Sequence, residues 1–155
     1  VARVQLTGTP ERIAPVAKAL FEAGHAVRCA VPGGTPVVEG AETVDGSPQL
    51  PGSLVMHLEG VAVVGWLLGD EASSDPELHG EKLETMLHRV VDTGVRGFIY
   101  ELPGGYADAK DMAHMGAARI AKANDTWKIP VAAVGPQDEN LSLAVSAAVD
   151  GLLAA

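Results

Sequence analysis

Val4-Gln5-Leu6-Thr7-Gly8 runs directly into Thr9-Pro10-Glu11-Arg12-Ile13-Ala14-Pro15-Val16-Ala17-Lys18-Ala19-Leu20-Phe21, and the join between the two segments decides the fold. The first segment is a short apolar run that stops at a Thr-Gly turn, as a buried strand does. In the second, Ile13, Val16, Ala17, Leu20 and Phe21 recur at helical spacing. Thr9 is placed to cap that helix, Pro10 stands at its first position and Gly24 just past its end. An interior proline removes a backbone hydrogen bond and costs about 3 kcal/mol, so Pro15 predicts a helix that becomes regular nearer Ala14 than Pro10.

Outward from this unit the same alternation continues. A strand is predicted over 26–31, then a Gly/Pro-rich link over 32–40, a short strand over 42–45 and a helix over 51–58. The run 61–68 is almost wholly apolar, as a strand covered on both faces must be. A long helix over 76–93 carries Leu78, Leu83, Met86, Leu87 and Val90 on one face and closes at Gly94. A strand over 97–101, a helix over 107–123, a strand over 129–134 and a helix over 139–153 complete the pattern. Alternation of this kind implies right-handed parallel crossovers. The predicted architecture is α/β: a doubly wound parallel sheet of about six strands in a three-layer sandwich, with residues 1–155 as a single domain.

Composition narrows the function. Apolar residues make up 47% of the 155 but aromatics only 4%, so the core is to be built from Val, Ala, Leu and Ile. A net charge of −9 without a block of Lys or Arg argues against nucleic acid as a partner. The chain has no run of 18 apolar residues and enters a strand without a leader, which predicts no membrane partner and a cytoplasmic location. The single cysteine, Cys29, lies inside an apolar strand and reads as a small buried hydrophobe in a reducing compartment.

Four stretches carry a resemblance to a known family. Thr7-Gly8 with Ala19-Leu20-Phe21-Glu22-Ala23-Gly24-His25-Ala26-Val27-Arg28 is the first. Gly40-Ala41-Glu42-Thr43-Val44-Asp45-Gly46, followed by Pro51, Ser53-Leu54 and Leu58-Glu59-Gly60-Val61, is the second. Residues 65–69 form the third, and residues 83–100, ending Thr93-Gly94-Val95-Arg96-Gly97-Phe98-Ile99-Tyr100, the fourth. Together they resemble the atypical and extended short-chain dehydrogenase/reductase families, the NAD-dependent epimerase/dehydratase and NmrA-like proteins, over about residues 2–101. The resemblance implies a Rossmann-like fold with NAD or NADP as the cofactor.

It also implies where that cofactor would lie. Thr7, Gly8 and Thr9 fall on the phosphate-binding turn, Ser47 on the position that touches adenine, and Leu68 and Gly69 beneath the nicotinamide. Three glycines are usual in the phosphate turn, because the backbone must turn tightly and approach a pyrophosphate without Cβ atoms. Here only Gly8 is kept, and Glu11 adds a carboxylate at the helix start, where it complements the helix dipole and repels an anion. At the end of the second strand Cys29-Ala30-Val31-Pro32 offers neither acid for a ribose nor arginine for a 2′-phosphate. Leu102-Pro103 stands where the family has its catalytic serine or threonine. The family's tyrosine and lysine have an echo in Tyr106 and Lys110, four apart and placed on an exposed helix face, but closer to the fifth strand than the family pattern has them.

Other chemistry is thin. His25, His57, His79, His88 and His114 show no metal-ligand spacing and read as solvated or capping residues; no metal site is expected. Asp70, Glu71 and Asp75 cluster after the fourth strand, on the edge where open α/β sheets bind ligands, and read as a solvated loop that caps the helix at Pro76. Trp66 and Trp127 are expected in the core. The reading that follows is a Rossmann-like protein without standard dinucleotide binding or catalysis, a non-catalytic subunit, scaffold or sensor of a small-molecule ligand, with no cofactor. The alternative is an NAD(P)-dependent oxidoreductase or epimerase-like enzyme using Tyr106 and Lys110. Under either, apolar helices over 83–91 and 141–153 predict a homodimer.

Overall fold

The computed structural model describes residues 2–136 and 140–155. In chain order the elements are β1 (Arg3–Gly8), α1 (Pro10–Glu22), β2 (Ala26–Val31), β3 (Glu42–Asp45), α2 (Pro51–Val55), β4 (Val63–Leu67), α3 (Glu81–Val90), β5 (Gly97–Glu101), α4 (Ala109–Trp127), β6 (Val131–Val134) and α5 (Leu141–Ala154). The strands lie in the order β3-β2-β1-β4-β5-β6, and every neighbouring pair is parallel. The chain is thus a doubly wound, three-layer α/β sheet of the Rossmann type.

Helices cover both faces because the central strands are apolar on both. On one side Ile13, Val16 and Leu20 of α1 and Val145 and Val149 of α5 pack on Val4, Leu6 and Val63. On the other, Leu54, Leu83, Met86 and Leu87 pack with Trp66, Phe98 and Tyr100. Gly65 makes the middle of the sheet possible, since a Cβ there would stand 2.8 Å from the Leu6 side chain.

Three expectations need correction. α1 is helical from Pro10, not from Ala14, with Pro15 inside it. Ile13 is fully buried, and burying such a side chain is worth about 1.5–3 kcal/mol, which offsets much of the cost of the proline in a helical first turn. The long helix expected over 76–93 is broken: Pro76–His79 form a 3-10 turn, Gly80 interrupts, and α3 ends at Val90, where Thr93 Oγ1 donates to the Val90 carbonyl. At Gly80 a Cβ would meet Met115 of α4 at 2.9 Å, so the break is also where the two helices draw close. α4 starts at Ala109 and runs on to Trp127, longer than expected, until Lys128 adopts a left-handed conformation. The expected start of the last helix, Glu139, and Val1 of the first strand lie outside the described residues.

Candidate functional site

β1 and β4 lie side by side, but their chains leave towards opposite faces, so the carboxyl ends of these two strands open a crevice. Arg12, in the first turn of α1, reaches across it. Its Nη2 donates to Glu101 Oε2 at 2.5 Å, and its Nη1 to Asp70 Oδ1 at 3.3 Å and to the Leu67 carbonyl at 3.2 Å. Glu101, at the end of β5, is 5% exposed, and its other oxygen accepts the Gly69 N–H at 2.8 Å. Asp70 also accepts from the Thr9 hydroxyl at 3.1 Å. Burial works against the Arg12 charge, but the hydrogen bond and charge of Glu101, with the charge of Asp70, more than offset it and hold the guanidinium above its usual pKa. The crevice is therefore spanned by the protein's own ion pairs.

The helix end beneath it has few donors to offer an anion. Pro10, at the first helical position, has no N–H. The amides of Arg12 and Ile13 both bond to the Thr9 carbonyl, at 2.9 and 3.0 Å. Among the described residues that leaves Glu11 as the one amide of the first turn without a backbone partner, and its own side chain is acidic. Thr9 does not cap the helix as its sequence position suggested, because its hydroxyl is turned to Asp70.

Four of the six expected cofactor contacts come together. Gly8, Thr9, Ser47 and Leu68 line one cleft of about 280 Å³, along with Pro32, Pro48, Gln49, Asp75 and Leu78. Thr7 is not among them: it is buried and its hydroxyl donates to the Ala30 carbonyl, tying β1 to β2. Gly69 faces a separate cavity of about 240 Å³ with Arg12, Asp70, Glu101 and Tyr106. A Cβ at Gly69 would stand 2.7 Å from both the Glu101 side chain and the Leu102 carbonyl, so this glycine makes room for Glu101.

Tyr106 and Lys110 do not share a helix face. Tyr106 lies before α4, separated from it by Asp108 in a left-handed conformation, while Lys110 is exposed near the helix start. No hydrogen bond joins the two; the Tyr106 hydroxyl is directed to Met112 Sδ at 3.9 Å. Burial, and then the charges of Asp70, Glu101 and Glu71, push the Tyr106 phenol above its usual pKa. A general acid-base tyrosine assisted by an ammonium needs the opposite shift.

Other residues also differ from expectation. His79 is fully buried, not solvated, and its Nδ1 meets the Tyr100 hydroxyl at 2.7 Å. Burial holds this imidazole below its usual pKa, against the backbone of Ser73 and Leu68 and the charges of Glu101 and Asp75. His25 is buried as well and accepts the Ala2 amide at 3.2 Å. Trp66 is in the core, with its indole N–H on the Leu78 carbonyl, but Trp127 is only half-buried and stacks on His88. Asp75 does cap the turn at Pro76, accepting the Glu77 amide at 3.0 Å. Cys29 is buried, and burial pushes its thiol up to about 11. No group of three or more His, Cys, Asp or Glu side chains suited to a metal occurs among the described residues. No described helix is long and apolar enough to cross a membrane.

Sequence reasoning missed Arg12 and Glu101, the pair that spans the crevice. The available signal was Glu101 itself, a lone charge at the end of the otherwise uncharged strand Gly97-Phe98-Ile99-Tyr100.

Comparison with solved structures places this architecture. An oxidoreductase from Lactococcus lactis superposes with a TM-score of 0.69 at 13% identity, over 86% of this chain and 68% of that one. Vestitone reductase from alfalfa gives 0.61 at 14% identity, over 86% of this chain and 56% of the reductase. A UDP-glucuronic acid 4-epimerase from Bacillus cereus, solved in complex with NAD, gives 0.61 at 12% identity, over 84% of this chain and 55% of the epimerase. No family model matches the sequence, and no curated protein does. The chain shares the Rossmann-like α/β fold of these oxidoreductase, reductase and epimerase structures. It spans little more than half the length of the alfalfa and Bacillus enzymes.

Proposed function

We propose that this chain is a Rossmann-like domain that does not bind a dinucleotide in the standard way and carries out no hydride chemistry. It works instead as a non-catalytic subunit, scaffold or sensor of a small ligand. The observation that carries the reading is the Arg12 bridge to Glu101 and Asp70 across the carboxyl ends of β1 and β4. A pyrophosphate at that point would meet two carboxylates whose one counter-charge is already engaged, and a helix start whose first residue is proline. The raised pKa of Tyr106 and the exposed position of Lys110 support the non-catalytic half of the proposal.

The test is a calorimetric and thermal-shift titration with NAD, NADH, NADP and NADPH. A ligand at a hundred times its Kd stabilises a native protein by about 2.7 kcal/mol, so a true dinucleotide site gives a clear rise in Tm. The expected result is no saturable binding at millimolar cofactor. Saturable binding near micromolar overturns the proposal and turns attention to an oxidoreductase or epimerase using Tyr106 and Lys110, with Tyr106→Phe as the next variant.

A further inference from the structure

We propose that the cavity of about 500 Å³ at the amino edge of the sheet, beside the first residues of β1 and β3, binds a free amino acid. It holds the ligand's carboxylate and ammonium together and lays its side chain on Met56. The cavity lies at the edge opposite the crevice, and the inference stands whether or not a dinucleotide binds there.

The strands set the charges. Successive residues of a strand point to opposite faces, and parallel partners in register share one. Gln5 pairs with Arg28, and Arg28 with Glu42, so these three stand on one face with Arg3, two places before Gln5. It is the face that α2 covers, since the Gln5 side chain donates to the Leu54 carbonyl at 3.1 Å. The turn between α2 and β4 completes the cavity with Met56, Glu59 and Gly60.

Arg28 is already engaged. Its side chain is 12% exposed, its Nη1 donates to the His57 carbonyl, and its Nε lies 3.1 Å from Glu42 Oε2. Arg3 and Glu59 are not engaged. Both line the cavity, yet neither has an ion pair or a side-chain hydrogen bond among the described residues. A cation and an anion thus face one space without pairing to each other. A ligand with a single charge satisfies one of them and is repelled by the other, whereas a zwitterion answers both. The Arg3 guanidinium offers a planar fork of N–H groups that matches a carboxylate. Its Nη1 comes 3.4 Å from where a Cβ at Gly60 would stand, so this glycine, at φ +76°, leaves the guanidinium room. Glu59 and the half-exposed Glu42 are left to accept from an ammonium.

Two buried polar atoms at the floor of this region make no hydrogen bond. One is Arg28 Nε, close to Glu42 but not aligned to donate to it; the other is Oε1 of its strand partner Gln5, a residue 2% exposed. Buried orphans of this kind are rare in native proteins, and a polar ligand or the water it orders completes them. Met56 supplies the apolar half of the site. It is 72% exposed while lining the cavity, and its unbranched thioether chain adapts to partners of varied shape. The volume falls within the roughly 300–1,000 Å³ of small-molecule pockets.

The test is a calorimetric and thermal-shift titration with each proteinogenic L-amino acid, then with the N-acetyl and the amide forms of the one that binds most tightly. At least one apolar amino acid is expected to bind saturably. Its N-acetyl form, which lacks the ammonium, and its amide, which lacks the carboxylate, are each expected to bind roughly tenfold or more weakly, the scale of one charged hydrogen bond. Arg3→Gln and Glu59→Gln are expected to weaken the free amino acid by a similar factor. Neither is expected to change the Tm of the protein without ligand, because neither side chain has a partner to lose. A blocked form that binds as tightly as the free amino acid overturns the inference. So does parent-like affinity in either variant, or the absence of saturable binding by any amino acid at millimolar concentration. None of these outcomes alters the dinucleotide titration, so this site and the proposed function fail separately.

Discussion

Replacing Arg12 by methionine keeps the apolar stem of the side chain and removes its charge, and the sign of the effect on stability is informative. A cation in the first turn of a helix faces the positive end of the helix dipole, a cost of roughly 0.3–1 kcal/mol. If the bridge contributed nothing, Arg12→Met would therefore stabilise the protein. Against that stands the loss of a charged hydrogen bond to Glu101, whose side chain is only 5% exposed. Bonds to charged groups are worth about 1.5–3 kcal/mol, and breaking a fully buried ion pair costs about 3–5 kcal/mol. Arg12 is 28% exposed and its second partner, Asp70, 19%, so the upper figures do not apply and the Asp70 contact adds about 0–1 kcal/mol. The expected net loss is about 2 kcal/mol. At roughly 2–4 °C per kcal/mol for a chain of this size, Tm falls by about 4–8 °C, measured by calorimetry and by urea unfolding. Glu101→Gln keeps an acceptor for the Gly69 amide and is expected to lose only about 1 kcal/mol. In a double-mutant cycle the two changes are expected to couple by about 1 kcal/mol or more. An Arg12→Met variant as stable as the parent, or two losses that add to within about 0.5 kcal/mol, would refute the argument that this bridge stabilises the fold across the crevice.

Acid should weaken the fold through His79. Its folded-state pKa lies below the unfolded value of about 6.5, because burial disfavours the charged ring. Below that value the unfolded chain binds the extra proton and the native chain resists it, so this contribution is complete above about pH 6.5 and declines as the pH falls. His79→Gln is expected to lose less stability than the parent between pH 7.5 and 5.5, read as the change in urea midpoint; equal losses would remove His79 from the account. The Cys29 thiol, buried and raised to about 11, is expected to react with an aromatic disulfide reagent at pH 8 only as fast as the native protein opens. A rapid reaction unaffected by added stabilisers would contradict its place in β2.

The sheet was legible because its signals are local. Apolar runs such as 61–68 and the helical recurrence from Ile13 to Leu20 each need only a short window, and the parallel order follows from their alternation. Element ends were less legible where a distant contact sets them. Gly80 breaks the expected long helix where Met115, far along the chain, packs close, and Pro15 is accepted because Ile13 is needed in the core. The site was legible in part for the same reason. Gly8, Thr9, Ser47 and Leu68 lie at the ends of neighbouring strands, so topology alone brings them together. Arg12 and Glu101 are 89 positions apart, so the lone charge that ends β5 signals a buried acid without saying which cation meets it. The Tyr106 and Lys110 spacing misled because four residues mean one face only when both lie in the helix, and Tyr106 lies before it.

The arrangement around Glu101 also bears on how this chain can change. Replacing Arg12 alone strands a carboxylate in a nearly dry position, and replacing Glu101 alone leaves Arg12 bound to Asp70 and still lying over the crevice. Refilling the space at Gly69 is blocked by backbone as well as by the acid. Each single step towards an unbridged crevice loses stability before it gains a ligand, so the bridged arrangement is left at least cost by a concerted change of Arg12 and Glu101.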